Sequence, residues 1–102
     1  MILISERQLQ KKFKHAADFG ISGDYNLQTA TAFAANIKAH VQQVRVQVIS
    51  GTYRTQPVTH HFDSKTNLDI IVDKTDNYIS GWRLNSFQVQ AVITTGKLGV
   101  DI

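Results

Sequence analysis

The stretch that decides the fold is Val44-Arg45-Val46-Gln47-Val48, in which apolar and polar residues alternate strictly. Such alternation predicts a half-buried β-strand. Before it, apolar residues recur at helical spacing in a segment that starts after Asn26, a good N-cap, and ends near Gln42. The predicted buried stripe of this helix is Ala30, Phe33, Ala34, Ile37, Val41 and Val44. The change of period separates a helical first half of the chain from a second half made of strands.

Polar turns divide the second half into four predicted strands. Ser50 and Gly51 are expected to interrupt the first strand, and Pro57 favours an edge position or a bulge in the segment that follows. The later strands are predicted at Val58–Phe62, Leu68–Val72 and Tyr78–Leu84.

The C-terminal part is predicted to form a short helix and a tail. Asn85 and Gln88 would cap the helix, Gly96 would end it, and Lys97–Ile102 would follow as the tail. Helices first and hairpin-linked strands afterwards predict an α+β fold, with N-terminal helices packed on an antiparallel sheet of about four strands.

The composition describes one globular domain and favours an anionic partner. The chain has 102 residues, of which 42% are hydrophobic, and no cysteine, which excludes disulfides, thiolate metal sites and cysteine nucleophiles. No apolar run approaches the ~18 residues of a membrane span, and the first residues do not resemble a signal peptide. The net charge of +3 and the pI near 9.4 make nucleic acid the first candidate partner.

The candidate chemistry lies in a basic segment near the N-terminus, Lys11-Lys12-Phe13-Lys14-His15, followed by Asp18-Phe19-Gly20. Ser5 and Gln8 predict a capped helix from near Glu6 to Gly20. Its predicted apolar stripe is Leu9, Phe13, Ala16 and Ala17, with His15 on the solvated flank beside it. On such a helix Lys11 and Lys12 neighbour the imidazole. An imidazole among cations suits a site that binds a phosphodiester and transfers a proton. A lysine run is also typical of an ordinary solvated helix face.

Three other features of the sequence are candidates for chemistry. His60 and His61, with Asp63 and Asp69 nearby, are poorly placed to share a metal, because successive strand residues point to opposite faces. His40 is predicted to be packed rather than catalytic. The segment Ser80-Gly81-Trp82-Arg83 could present a tryptophan to stack on a base and an arginine to hold a phosphate, or its Trp could be an ordinary core residue.

Taken together, these segments resemble the nuclease domain of the colicin D family, bacterial toxins that cleave tRNA in the anticodon loop. The resemblance covers nearly all of the chain from about Lys11. The matching segments, in order, are Lys12–Ala16 with Asp18–Gly20, Ser50/Gly51–Arg54, Lys65-Thr66, Ile70–Val72, Ser80–Trp82, and Thr95-Gly96 with Leu98. The chain departs from the family at Gln42–Ile49, which is more apolar, and at Thr55-Gln56-Pro57, which replaces a charged segment.

The resemblance implies a RelE/barnase-like ribonuclease fold and a metal-independent cleavage of RNA through the ribose 2′-hydroxyl, without a cofactor. The implied catalytic residues are His15, Lys12, Lys14, Ser80 and Trp82. The residues expected to bind RNA are Lys11, Arg54 and Arg83.

The resemblance further implies that residues 1–102 form one ribonuclease domain from a larger secreted toxin. Such a toxin, of the bacteriocin or contact-dependent growth inhibition type, is delivered into a competitor and acts in its cytoplasm. A cognate acidic immunity protein is the expected partner besides tRNA, and the domain is expected to be monomeric apart from that complex, with no membrane partner. The alternative from another class is a non-catalytic RNA-binding module that uses the same basic surface.

Overall fold

The computed structural model describes residues 1–99, which form three α-helices, one 3₁₀-helix and five strands. The helices are α1 (Glu6–Lys11), the 3₁₀-helix (Phe13–Phe19), α2 (Leu27–Gln42) and α3 (Ser86–Thr95). The strands are β1 (Gln47–Tyr53), β2 (Gln56–Asp63), β3 (Leu68–Val72), β4 (Tyr78–Arg83) and β5 (Lys97–Leu98). They form one sheet in the order β4-β3-β2-β1-β5, antiparallel except for β5, which runs parallel to β1. The predicted α+β class is confirmed, with one strand more than the four predicted.

The first strand starts later than predicted and has no interruption. Val44 is fully exposed between α2 and β1, so its place in both the helical stripe and the strand was wrong. Ser50 and Gly51 lie inside β1, where they pair with Thr59 and Val58. An added Cβ at Gly51 would lie 1.9 Å from the carbonyl oxygen of Gly96. Glycine therefore marks a close approach of two backbones here rather than the end of a strand.

Pro57 lies where β2 has a strand on one side only. β2 is the central strand, but its pairing with β3 begins at Thr59, whereas its pairing with β1 includes Pro57 opposite Thr52. The missing N–H of proline therefore removes no bond to β3.

The C-terminal helix has the predicted caps, but the tail was partly wrong. Asn85 and Gln88 form a reciprocal capping box, and Gly96 ends the helix in the left-handed conformation with φ 71°. The next two residues join β1 as the parallel strand β5. The predicted tail beyond Gly99 lies outside the described residues.

The sheet separates two hydrophobic clusters. The first lies under α1, the 3₁₀-helix and α2 and comprises Ile2, Leu9, Ala16, Phe19, Ala30, Phe33, Ile37, Ile70, Val72 and Tyr78. The second involves α3 and comprises Tyr53, Val58, Phe62, Ile71, Trp82, Leu84, Val92 and Leu98. In this second cluster the rings of Tyr53 on β1 and Trp82 on β4 approach to 6.0 Å between centroids although two strands separate β1 from β4. The sheet is therefore strongly curled, and this second face is its concave face.

The N-terminal segment covers the open edge of β4. Leu3 exchanges backbone hydrogen bonds of 2.8 Å with the edge, accepting from the N–H of Tyr78 and donating to the carbonyl of Asp76. Farther along, the Gln8 side chain donates to the carbonyl of Ile79, and the Asp18 carboxylate accepts from the N–H of Arg83 at 2.9 Å. Unpaired edge groups otherwise invite association with other strands. These contacts also fix the 3₁₀-helix alongside β4.

We expect Gly51→Ala to lower the free energy of unfolding by about 1–3 kcal/mol, because the new methyl group would collide with backbone atoms of Gly96 that have little room to move. Gly99→Ala is the matched control, since nothing lies within 4 Å of a Cβ at that position. Urea unfolding of the two variants and the parent chain measures the difference. Equal stability of the two variants would contradict the close approach described here.

Candidate active site

The N-terminal helix predicted as one element changes form after Lys11. α1 ends there, and Phe13–Phe19 continues as a 3₁₀-helix with three residues per turn. Residues three apart therefore share a side of this segment. One row packs into the first hydrophobic cluster and consists of Phe13, Ala16 and Phe19. A second row is wholly or partly buried and consists of Lys12, His15 and Asp18. The third row, Lys14 and Ala17, is exposed. The predicted stripe was thus wrong at Ala17, which faces solvent.

His15 is buried rather than placed on a solvated flank as predicted. Its side chain keeps 5% of its accessible surface, and Lys12, one turn earlier in the same row, keeps 8%. The imidazole stacks on the indole of Trp82, with 5.5 Å between ring centroids and 29° between the planes. This burial follows from the three-residue repeat, which turns the row toward β4.

Trp82 is a core residue, so the alternative in which it is exposed was wrong. It is 3% exposed, and its Nε1–H donates to Oε1 of Gln88 at 3.3 Å. Its ring also meets Tyr53, and the guanidinium of Arg54 lies 5.3 Å from the centroid of Tyr53. From His15 to Arg54, the rings and the guanidinium form a continuous row, here called the stacked row, which links the 3₁₀-helix, β4 and the end of β1. Its rings are stacked between His15 and Trp82 and tilted by 57° between Trp82 and Tyr53.

Ser80 lies on the same concave face as Trp82. The two residues alternate along β4 with Gly81 between them, and Ser80 is opposite Ile71 of the second hydrophobic cluster. Ser80 is fully buried. The structure therefore brings His15, Trp82 and Ser80 to one side of the curled sheet.

The remaining predicted cations lie around this group. Lys11 and Lys14 are exposed on the solvent side of the N-terminal helices. Arg83 is also exposed, and its guanidinium donates to the carbonyls of Thr66 and Asp18, at 3.3 and 3.4 Å. The Asp18 carboxylate accepts from the backbone N–H of the same arginine. Asp18 therefore joins the segment that carries His15 to the strand that carries Trp82.

Three contributors were missed from the sequence. The sequence places Tyr53 in the Gly51–Arg54 segment, Gln88 in a helix cap and Asp18 in a motif, and it assigns none of them to the site. For Gln88 the signal in the sequence is the capping box that it forms with Asn85. In the structure its side-chain oxygen accepts from the N–H of Asn85, the helix N-cap, and also from Trp82 Nε1. The contact between Tyr53 and Trp82 depends on the curl of the sheet and has no local signature.

A buried histidine–carboxylate pair lies on the same concave face, outside the stacked row. His60 and Asp69 are both fully buried, and Nδ1 of the imidazole lies 2.8 Å from a carboxylate oxygen. On its other side, Nε2 lies 2.9 Å from the carbonyl of Gly96. Burial opposes the charged imidazole, but these acceptors outweigh it and raise the pKa of His60 above its ordinary value of 6.5.

The other two histidines of this region are structural. His61 points to the opposite face of β2, and burial lowers its pKa below 6.5. The ring of His40 is buried against the carbonyl of His61, at 2.7 Å, which confirms the prediction of a packed histidine. Within residues 1–99 there is no group of three or more histidine and carboxylate side chains that could hold a metal.

The family model of colicin D matches residues 8–92 of this chain. The chain belongs to the colicin D family. Colicin-D of Escherichia coli is 35% identical over 83 residues, which make up 79% of this chain and 12% of that protein. The chain thus spans about an eighth of the length of this relative.

A solved structure has the same fold. It is a ribonuclease from Escherichia coli complexed with its inhibitor protein, 33% identical, with a TM-score of 0.79 over 89% of this chain and all of that chain. The predicted ribonuclease fold and the predicted class of enzyme, an endoribonuclease of the colicin D type, are confirmed at this level. Membership also favours an enzyme over the non-catalytic RNA-binding module. In the described part of the chain, no helix has the length and apolar character needed to cross a bilayer.

The two histidines of β2 predict a maximum of folding stability near pH 6.5. Above this pH the unfolded chain releases the proton of His60 while the folded chain keeps it, so the free energy of unfolding falls as the pH rises through the folded pKa. Below it the unfolded chain binds a proton at His61 that the folded chain does not, so stability falls as the pH drops. Urea unfolding between about pH 5 and pH 9 measures both arms.

His61→Gln is the control, because it should flatten the acid arm and leave the alkaline arm. Nitrogen resonances of the imidazoles should show His60 still protonated above pH 6.5. A His60 ring that loses its proton below that pH would contradict the assignment.

Proposed function

We propose that this chain is a metal-independent endoribonuclease that cleaves tRNA in the anticodon loop. The observation that carries the proposal is His15, an imidazole packed face to face on Trp82 and in one row with Lys12, in a member of a ribonuclease family. A stacked, buried imidazole has a fixed plane, as proton transfer in a defined geometry requires.

RNA supplies its own nucleophile for this reaction. The 2′-oxygen forms a bond to phosphorus while the bond from phosphorus to the 5′-oxygen breaks, which leaves a 2′,3′-cyclic phosphate and a 5′-hydroxyl. His15 accepts the proton of the 2′-hydroxyl or delivers one to the departing 5′-oxygen, according to the side of the scissile bond on which it lies. The second proton transfer falls to a lysine, to water or to another residue.

The other predicted residues support this step from different positions. Lys12 and Lys14 stabilise the charge that develops on the phosphoryl oxygens, Lys12 from within the site and Lys14 from its exposed rim. Ser80 adds a neutral hydrogen bond. Trp82, being buried, acts as a positioning residue that holds the imidazole, while Lys11, Arg54 and Arg83 hold the RNA backbone at the surface.

We further propose that the domain is the toxic part of a larger bacteriocin-like protein, secreted and delivered into the cytoplasm of a competitor. Support comes from Colicin-D, of which the chain spans 12%. The solved relative is complexed with an inhibitor protein, which supports a cognate immunity protein for this chain. That partner is proposed to be acidic, because the surface around His15 carries exposed lysines.

The catalytic proposal predicts cleavage of purified tRNA in the presence of EDTA, with cyclic phosphate and 5′-hydroxyl ends on the products. His15→Ala should lower the rate by about 10²–10⁴-fold, the usual contribution of general acid–base catalysis. Lys14→Ala, an exposed change, should slow cleavage and reduce the salt dependence of RNA binding without altering the unfolding transition. A strict requirement for Mg²⁺, 5′-phosphate products or an active His15→Ala protein would contradict the mechanism. Circular dichroism verifies that the variants fold.

The partner proposal predicts that the immunity protein and RNA compete for the surface around His15. With folded His15→Ala protein and labelled tRNA, added immunity protein should displace the RNA. The association rate of the two proteins should fall steeply with salt, as for oppositely charged surfaces. Simultaneous binding of RNA and immunity protein would mean that inhibition occurs elsewhere on the domain.

A further inference from the structure

A cleft of about 330 Å³ opens next to the stacked row that ends in Arg54. Tyr53, Arg54 and Gln56 line it from the hairpin between β1 and β2, together with Val58, Ile79 and Asp73. Its volume is at the small end of the range of ligand sites, about 300–1,000 Å³, and fits a single ring system with its substituents. Of these residues, the mechanism above uses only Arg54, which holds the RNA backbone, and it assigns no ligand to the cleft itself.

Arg54 is held over the cleft by an unusual turn. Arg54 and Thr55, the two residues between β1 and β2, both have positive φ, 51° and 69°. Positive φ at both positions suits a two-residue hairpin, but asparagine and glycine are the usual residues there, and a β-branched threonine is strained. Strain of this kind persists mainly at functional positions. Here it directs the Arg54 guanidinium over the ring of Tyr53.

The cleft is connected to His15 through two ring contacts. Tyr53 lies 6.0 Å from Trp82, and Trp82 lies 5.5 Å from His15, between centroids. If the reacting phosphodiester binds at His15, a ligand in the cleft lies two ring contacts away from it. A nucleotide that flanks the one being cut would span this separation within the same RNA chain.

The lining has the chemistry that recognises an unpaired base. The planar guanidinium of Arg54 offers a stacking surface, and single-stranded bases bind on such planes and on apolar side chains like Val58 and Ile79. Asp73 adds specificity. Burial opposes its ionisation, but hydrogen bonds from Asn77 and Thr75 hold the pKa of its carboxyl below the usual value. An ionised carboxylate repels phosphate and accepts from the amino group of a base.

We propose that this cleft is a subsite for one unpaired nucleobase with an exocyclic amine, in a nucleotide that flanks the cleavage point. The inference rests on the proposed ribonuclease function and adds a base preference to it. Adenine, cytosine and guanine fit the carboxylate, whereas uracil presents only oxygens and an imino group at its edge and is disfavoured.

The test is a titration of the wild-type chain, labelled at isoleucine and valine methyl groups, with AMP, CMP, GMP and UMP. Mononucleotides have no internal phosphodiester, so the active protein can be used. Saturable shifts are expected for Ile79 and Val58 with the three amine-bearing nucleotides and weaker shifts with UMP. Ile37, on the buried side of α2 and on the opposite face of the sheet, should not respond.

Variants separate stacking from base preference. Arg54→Gln should weaken binding about tenfold, comparable to the loss of one stacking contact. Lys38→Gln removes an exposed cation from α2, on the far side of the sheet, and should leave binding unchanged. Asp73→Asn keeps the oxygen that accepts from the N–H groups of Thr75 and Asn77. It replaces the second oxygen, which accepts from the Asn77 side chain at 3.3 Å, by an amide donor, so UMP should bind as well as CMP.

Unperturbed Ile79 and Val58 resonances, or an equal response of Ile37, would overturn the subsite. So would an unaltered affinity in Arg54→Gln. Because the titration needs no cleavage, its failure in a protein that cuts RNA removes the subsite and leaves the ribonuclease proposal intact. A response at Ile79 in a protein that cuts no RNA supports the cleft as a nucleobase site and removes the ribonuclease proposal.

Discussion

The three-residue repeat of the 3₁₀-helix is the constraint on which the rest of the site depends. In an α-helix, each step of three residues turns by about 60°, so Lys12 and Asp18 would lie about 120° apart around the axis and could not face one neighbour. In the 3₁₀-helix, Lys12, His15 and Asp18 form one row. Asp18 can then bind the edge of β4 at Arg83 while the imidazole stacks on Trp82 one residue away. A single local conformation therefore holds together two segments that are more than sixty residues apart in the chain.

The concave face of the curled sheet carries both side chains that hold the fold together and side chains of the candidate site. Along one row of paired residues, Ile49, His60, Ile71 and Ser80 lie side by side across four strands. His60 is tied to Asp69 and to the carbonyl of Gly96, so this imidazole joins the end of α3 to the sheet. His15 reaches the same face over the edge strand. One histidine is thus committed to the fold, while the other is the one to which we assign the proposed proton transfer.

Much of this architecture could be predicted from local patterns, and the errors have identifiable physical causes. The caps at Asn26 and Asn85 and the stop at Gly96 were predicted correctly, because a cap is made by residues within one turn. The uninterrupted course of β1 was missed, because glycine reads as a turn when the backbone that packs against it, at Gly96, is forty-five residues away.

The predictions for the N-terminal helix and for Trp82 were wrong in side-chain direction. The α-helical period gave the wrong exposure for His15 and Ala17, since nothing in the residues themselves distinguishes 3.6 from three residues per turn. The burial of Trp82 and its contact with Tyr53 depend on the curl of the sheet, a property of all the strands together. Residue types suited to the chemistry were recognisable from the sequence, whereas their mutual orientation required the fold.

The side-chain oxygen of Gln88 connects the start of α3 to the ring of Trp82. It accepts from the N-cap residue of α3 and from the indole of Trp82, which in turn carries the imidazole of His15. A tilt of the helix start would shift the indole and, through the ring contact, the imidazole of His15. The position of this imidazole therefore depends on a helix terminus rather than on a surface loop.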